Sequence, residues 1–133
     1  MNVADLTVPG RCLVMGIVNV TEDSFSDGGR YIEIDRAIEH ARRLVAEGAD
    51  IIDIGGESTR PGAVRVAAED ERNHVVPVIA ALREEGIHTS VDTMRASVAA
   101  AAAEAGVSMI NDVSGGLADP DMFSVMADAA IPV

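Results

Sequence analysis

Most of the side chains equipped for chemistry fall in four short polar segments, each of which follows an apolar run. The first is Asn19-Val20-Thr21-Glu22-Asp23-Ser24-Phe25-Ser26-Asp27-Gly28-Gly29. Asn19 offers a carbonyl oxygen, a hard ligand of the kind Mg²⁺ takes, and Asp23, Ser24 and Ser26 add further oxygens. Phe25 either closes over a flat ring or anchors the loop from beneath while the Asp and Ser residues make turns. The second segment is Gly55-Gly56-Glu57-Ser58-Thr59-Arg60-Pro61-Gly62. Its glycines and proline mark a shaped loop. The Ser58 and Thr59 hydroxyls and the free backbone N–H groups suit a phosphate, and Arg60 suits a phosphate or a carboxylate. The competing reading is a Glu57–Arg60 surface ion pair within a turn. The third and fourth segments centre on Asp92 and on Asn111-Asp112. An acid beside an amide suits an aminopyrimidinone edge, whose donors and acceptors alternate. Alternatively, Asp92 caps the helix that follows it. Asp112 reads as a brace for its own loop, and Asp53 as a buried, paired structural carboxylate.

Other reactive types read as structural. His40, His74 and His88 lack ligand spacing and are expected in solvated or capping roles. Cys12 precedes the first apolar run with no base nearby and is expected to pack. The run Glu69-Asp70-Glu71 complements a helix dipole.

The elements that must position these segments follow from hydrophobic periodicity. Leu13-Val14-Met15-Gly16-Ile17-Val18 is a continuous apolar run and predicts a buried strand. Ile51-Ile52-Asp53-Ile54, Ile87 to Val91 ending in Asp92, and Val107 to Ile110 ending in Asn111 predict three more. Apolar residues at Ile34, Ala37, Ile38, Ala41, Leu44 and Val45 predict a helix over about 34–47, closed by Gly48. Helices are also predicted over about 67–85, with Pro77 as a kink or break, and from about Met94 to Ala105. The last runs from about Pro120 to Ala129 with Asp119 as N-cap. Residues 21–31 and 55–65 read as loops, and Ile131-Pro132-Val133 as the opening of a fifth strand.

This βαβαβαβαβ order indicates parallel α/β architecture, either a doubly wound sheet or a (β/α)8 barrel. No G-x-G-x-x-G or G-x-x-x-x-G-K-[ST] segment occurs, which takes weight from nucleotide-binding forms. Asn19, Gly55-Gly56-Glu57, Asp92 and Asn111 all fall at strand C-termini, which in a barrel meet in one mouth. The expected fold is therefore α/β of the (β/α)8 TIM-barrel type. Residues 1–133 hold about the first four βα units of one domain that needs about 250 residues. That arithmetic implies a chain truncated at strand 5 or completed by another chain.

Composition sets outer bounds. The 133 residues carry 10 Lys and Arg against 22 Asp and Glu, a formal charge of −12, which argues against nucleic-acid or anionic-membrane partners. Hydrophobic residues make up 48%, enough for a core, but aromatics only 2%, so the core must be aliphatic as in parallel α/β proteins. One cysteine excludes an internal disulfide framework. With no secretory signal and no membrane-length apolar run, a soluble cytoplasmic protein is expected.

Together the four segments resemble the dihydropteroate synthase family of folate biosynthesis. MGIVNVTEDSFSDGG and IIDIGGESTRPGA resemble its first two signatures, and SVDTMR and INDVSGG its third and fourth strand ends. The resemblance covers about residues 13–133, though the family commonly has Pro where Glu22 stands. It implies a barrel that condenses (7,8-dihydropterin-6-yl)methyl diphosphate with para-aminobenzoate, using Mg²⁺. By motif, Asn19 would help hold the Mg²⁺–diphosphate and Thr59 the diphosphate, while Asp92 and Asn111 would bind the pterin. Phe25, Arg60 and Pro61 would form the para-aminobenzoate pocket. The resemblance also implies a homodimer, and a further Asp, a Lys and an Arg/His pair from the second half of the barrel. Lacking these, the 133-residue chain alone is expected to be inactive and marginally folded. The alternatives are a short non-catalytic pterin-binding or assembly module and the pterin-binding domain of a folate-dependent methyltransferase.

Overall fold

A computed structural model describes residues 3–21, 29–56 and 65–133, with residues 29–31 as backbone alone. Four strands alternate with four helices: β1 (Met15–Asn19), α1 (Gly29–Ala46), β2 (Ile51–Gly55), α2 (Ala68–Glu84), β3 (Thr89–Asp92), α3 (Ala96–Glu104), β4 (Met109–Asn111) and α4 (Met122–Ala129). The strands form one parallel sheet in the order β1-β2-β3-β4. Spatial order follows chain order without a reversal, so the sheet has no topological switch point and is barrel-like rather than doubly wound. Right-handed crossovers put the helices on one face of such a sheet.

That helix-covered face is the core. Val18, Ile52, Ile54, Val91 and Ile110 point into it from the strands. Ala37 and Ala41 of α1, Val75, Val78, Ile79 and Leu82 of α2, Val98, Ala99 and Ala102 of α3, and Met122 of α4 meet them. The alanines let α3 approach closely, and no aromatic residue is buried among those described. Because side chains alternate along a strand, the opposite face carries Ile17, Asn19, Asp53, Gly55, Ser90, Asp92, Met109 and Asn111.

Several boundaries differ from the sequence expectation. α1 starts at Gly29, inside the segment read as loop, because apolar periodicity begins only at Ile34 and does not report a polar first turn. It ends as expected, with Gly48 at φ +117°. α2 passes through Pro77 unbroken. α4 begins at Met122 rather than Pro120, and Asp119 Oδ1 accepts the Asp121 N–H in the turn before it at 3.0 Å. Residues 131–133 form no regular strand, although the Pro132 carbonyl accepts the Ile110 N–H at 3.0 Å beside β4. Cys12 is exposed rather than packed, because it lies on the lead into β1 outside the sheet. His74 and His88 are buried rather than solvated. His74 belongs to the core-facing side of α2, and His88 Nδ1 lies 3.3 Å from Ser108 Oγ of the neighbouring segment.

Candidate functional site

Strand register builds the site. Asn19 pairs with Gly55, Gly55 with Asp92, and Asp92 with Asn111, so the four predicted strand-end residues form one row across the sheet. The row sits on the face away from the helices, at the C-terminal edge. Asn19 is exposed, Asp92 and Asn111 are half-buried, and Gly55 is buried between them. A Cβ on Gly55 would meet Asn19 Oδ1 at 3.1 Å and Asp92 Oδ2 at 3.6 Å. The glycine thus leaves a cradle flanked by two oxygens. Directly beneath the row, Ile17, Asp53, Ser90 and Met109 form a second row in register.

Beneath Asn111 lies a buried polar relay. Asp53 is 4% exposed, and its Oδ2 accepts the Asn111 Nδ2–H at 3.2 Å. Its Oδ1 accepts the Ser90 Oγ–H. Both carboxylate oxygens are therefore satisfied, as a buried acid requires. The structural role expected of Asp53 is present, but its partner is a candidate ligand-binding residue that the sequence did not connect to it.

The alternative cap role for Asp92 is not what starts α3. The Ala96 N–H at the head of that helix donates to Asp119 Oδ2 at 2.8 Å, and the Arg95 N–H donates to Thr93 Oγ1 at 3.1 Å. The bond from Ala96, and then that from Asp121, holds the Asp119 carboxyl below its ordinary value. Asp112 braces its own loop as expected, accepting from Ser114 N–H at 2.8 Å and Gly116 N–H at 3.1 Å.

A second buried element was missed by sequence reasoning. Glu71, read only as part of a run that complements a helix dipole, is 1% exposed and pairs with Arg95 at 2.8 Å. Arg95 Nη2 also donates to the Val66 carbonyl at 2.5 Å. One guanidinium thus joins the connection after β3 to the entry of α2. Nothing in local sequence pairs residues this far apart; the only signal was an arginine directly after the strand-end motif.

Phe25, Thr59, Arg60 and Pro61 lie outside the described residues. For a metal, the donor set in view is limited. No group of three or more His, Cys, Asp or Glu able to hold an ion occurs among the described residues. Asn19 Oδ1 on the rim of the cradle is a hard oxygen suited to an ion that takes most of its ligands from substrate and water.

Comparison with known proteins bears on this arrangement. A family model described as "Pterin binding enzyme" matches residues 15–133. Dihydropteroate synthase of Bacillus subtilis is 52% identical over 129 residues, covering 96% of this chain and 45% of that protein. A solved Xanthomonas albilineans dihydropteroate synthase with 4-aminobenzoic acid superposes with a TM-score of 0.84 at 50% identity, over 93% of this chain and 45% of that one. Another from that organism, in complex with 7,8-dihydropteroate, gives 0.79 at 45% identity over the same shares of the two chains. The chain spans about half the length of the curated relatives it matches.

Proposed function

The chain belongs to the pterin binding enzyme family, and from that premise we propose that its protein is a dihydropteroate synthase. It condenses (7,8-dihydropterin-6-yl)methyl diphosphate with para-aminobenzoate to give dihydropteroate and diphosphate. The observation that carries the reading is the in-register row Asn19–Gly55–Asp92–Asn111 with its side-chain-free centre. Relatives named for this activity, and solved ones holding 4-aminobenzoic acid or 7,8-dihydropteroate, support the choice of both co-substrate and product.

In this reading Asp92 accepts two N–H bonds from the aminopyrimidinone edge. Asn111 gives it one acceptor and one donor. The Gly55 cradle lets the flat ring lie against backbone where any side chain would stand in its way. Asn19 would offer its amide oxygen to the Mg²⁺ that accompanies the diphosphate, and Thr59 its hydroxyl to the diphosphate. Mg²⁺, when bound, offsets charge on the departing diphosphate. The bond between the pterin methylene carbon and the diphosphate oxygen breaks, and the amine nitrogen of para-aminobenzoate forms the new C–N bond and loses a proton. Phe25, Arg60 and Pro61 line the para-aminobenzoate pocket, with the Arg60 fork on the carboxylate. Residues 1–133 are the N-terminal part of a single barrel domain that works as a homodimer. The exposed Cys12 thiol suits the reducing cytoplasm, where we place the protein.

The test is condensation by the protein as its gene encodes it, with both substrates and Mg²⁺. Formation of dihydropteroate and diphosphate in equal amounts supports the reading. Pterin binding without condensation would point instead to a non-catalytic pterin module, and methyl transfer from a folate to a methyltransferase domain.

A further inference from the structure

Asp53 lies on the same face as Gly55, one pleat below the row that receives the ligand. Its two acceptor oxygens are shared between Ser90, its in-register neighbour on β3, and Asn111, which reaches back from β4 at 3.2 Å. A carboxylate that already holds one donor demands the nitrogen end of the second partner, since an amide oxygen turned toward it would be repelled. The contact is therefore directional. It commits one Nδ2–H of Asn111 and leaves Oδ1 and the other N–H for whatever occupies the mouth.

We propose that Asp53 is a positioning residue of the pterin site, which sets the amide orientation of Asn111 and so the donor–acceptor order that the site offers to an aminopyrimidinone. This rests on the pterin-binding reading above and adds a residue that touches no ligand. An aliphatic residue at this depth would pack as well, but would leave the amide free to turn over and present the wrong order to the ring. Burial makes the orientation durable, because Asp53 is 4% exposed and Ser90 fully buried, so water does not compete for the carboxylate. Asn111 is only half-buried and depends on Asp53 for that rigidity.

The test is a double-mutant cycle in the protein as its gene encodes it, with pterin itself as the titrated probe. Asp53→Asn keeps the shape but replaces one acceptor oxygen with an N–H donor and removes the carboxylate charge that fixes the Asn111 amide. It should raise the pterin dissociation constant by about tenfold, the order expected for a misdirected hydrogen bond. Asn111→Ala should do the same. Asp53→Asn placed on Asn111→Ala should add nothing, because the group through which Asp53 acts is gone. An equal loss in both backgrounds would overturn the proposal and make Asp53 a purely structural acid. Failure of the unmutated protein to bind pterin would instead remove the functional reading beneath it, so the two failures are distinct. Should Asp53→Asn not fold, the unmutated protein decides by NMR. One Asn111 side-chain proton protected from exchange is expected, and two freely exchanging protons would overturn the assignment.

Discussion

Removing Arg95 offers a sharp energetic test of how the site-bearing edge is held. The guanidinium pairs with Glu71 at 2.8 Å and donates to the Val66 carbonyl at 2.5 Å, and Glu71 is 1% exposed while Arg95 is 18% exposed. Arg95→Ala therefore strands a buried carboxylate and removes a donor from a backbone carbonyl. Breaking a buried pair from one side costs about 3–5 kcal/mol, mostly through the charge left behind. Glu71→Gln keeps an acceptor for the guanidinium, and the charge left on Arg95 is 18% exposed and reaches water, so only about 1 kcal/mol is expected. At a urea slope of about 2 kcal/mol per molar, these become midpoint shifts of about 1.5–2.5 M and about 0.5 M. The double variant should be more stable than Arg95→Ala alone, because the stranded charge is gone. Circular dichroism in urea on the gene-encoded protein reads all four species. A double variant less stable than either single one would refute the reasoning, since the dominant cost would then not be the buried charge.

Four further outcomes are expected. Asn111→Ala should weaken pterin binding by about 1–3 kcal/mol in a direct titration, and an unchanged affinity would remove Asn111 from the site. Arg60→Ala should spare pterin binding and raise the KM for para-aminobenzoate in a steady-state assay; equal loss of both would mean the pocket is misassigned. Gly106→Ala should lower the urea midpoint, because Gly106 holds φ +95° and a Cβ there would strike the Arg83 side chain. Acid should destabilise the fold in a definite window. Asp119, held by Ala96 and Asp121 N–H groups, and Asp50, held by the Val14 N–H and Arg11, both have carboxyl values below the ordinary 3.8. Their stabilisation is thus present above that pH and is lost as pH falls through the lower folded values. Asp119→Asn should flatten the acid limb of a stability–pH curve.

What was legible in the sequence was whatever depends on chain neighbours. Apolar runs ending abruptly in Asn19, Gly55, Asp92 and Asn111 marked strand ends, and parallel register then placed all four side by side. Periodicity located the core face of α1, where Ile34, Ala37, Ile38, Ala41, Leu44 and Val45 all meet the core. What was hidden depends on partners distant in sequence. The Asp53–Asn111 bond spans 58 positions and the Arg95–Glu71 pair 24; burial of Asp53 was legible from its place inside an apolar run, but the partner of neither acid was. Asp119 was read as a cap for its own helix. Its carboxylate also reaches the first amide of α3, a bond that exists only once the two helices pack. The same blindness misplaced Cys12, His74 and His88, whose exposure is set by where their elements end and what covers them.

The most direct measurement is a titration of pterin into the gene-encoded protein and into its Asp92→Asn variant. Asp92 stands between Gly55 and Asn111 in the strand-end row. Saturable binding of one pterin per chain is expected of the unmutated protein. A loss of at least about tenfold is expected in the variant, because one of the two carboxylate oxygens is replaced by an N–H donor that faces a ring N–H. Equal affinity in the two proteins would contradict the claim that this row reads the pterin.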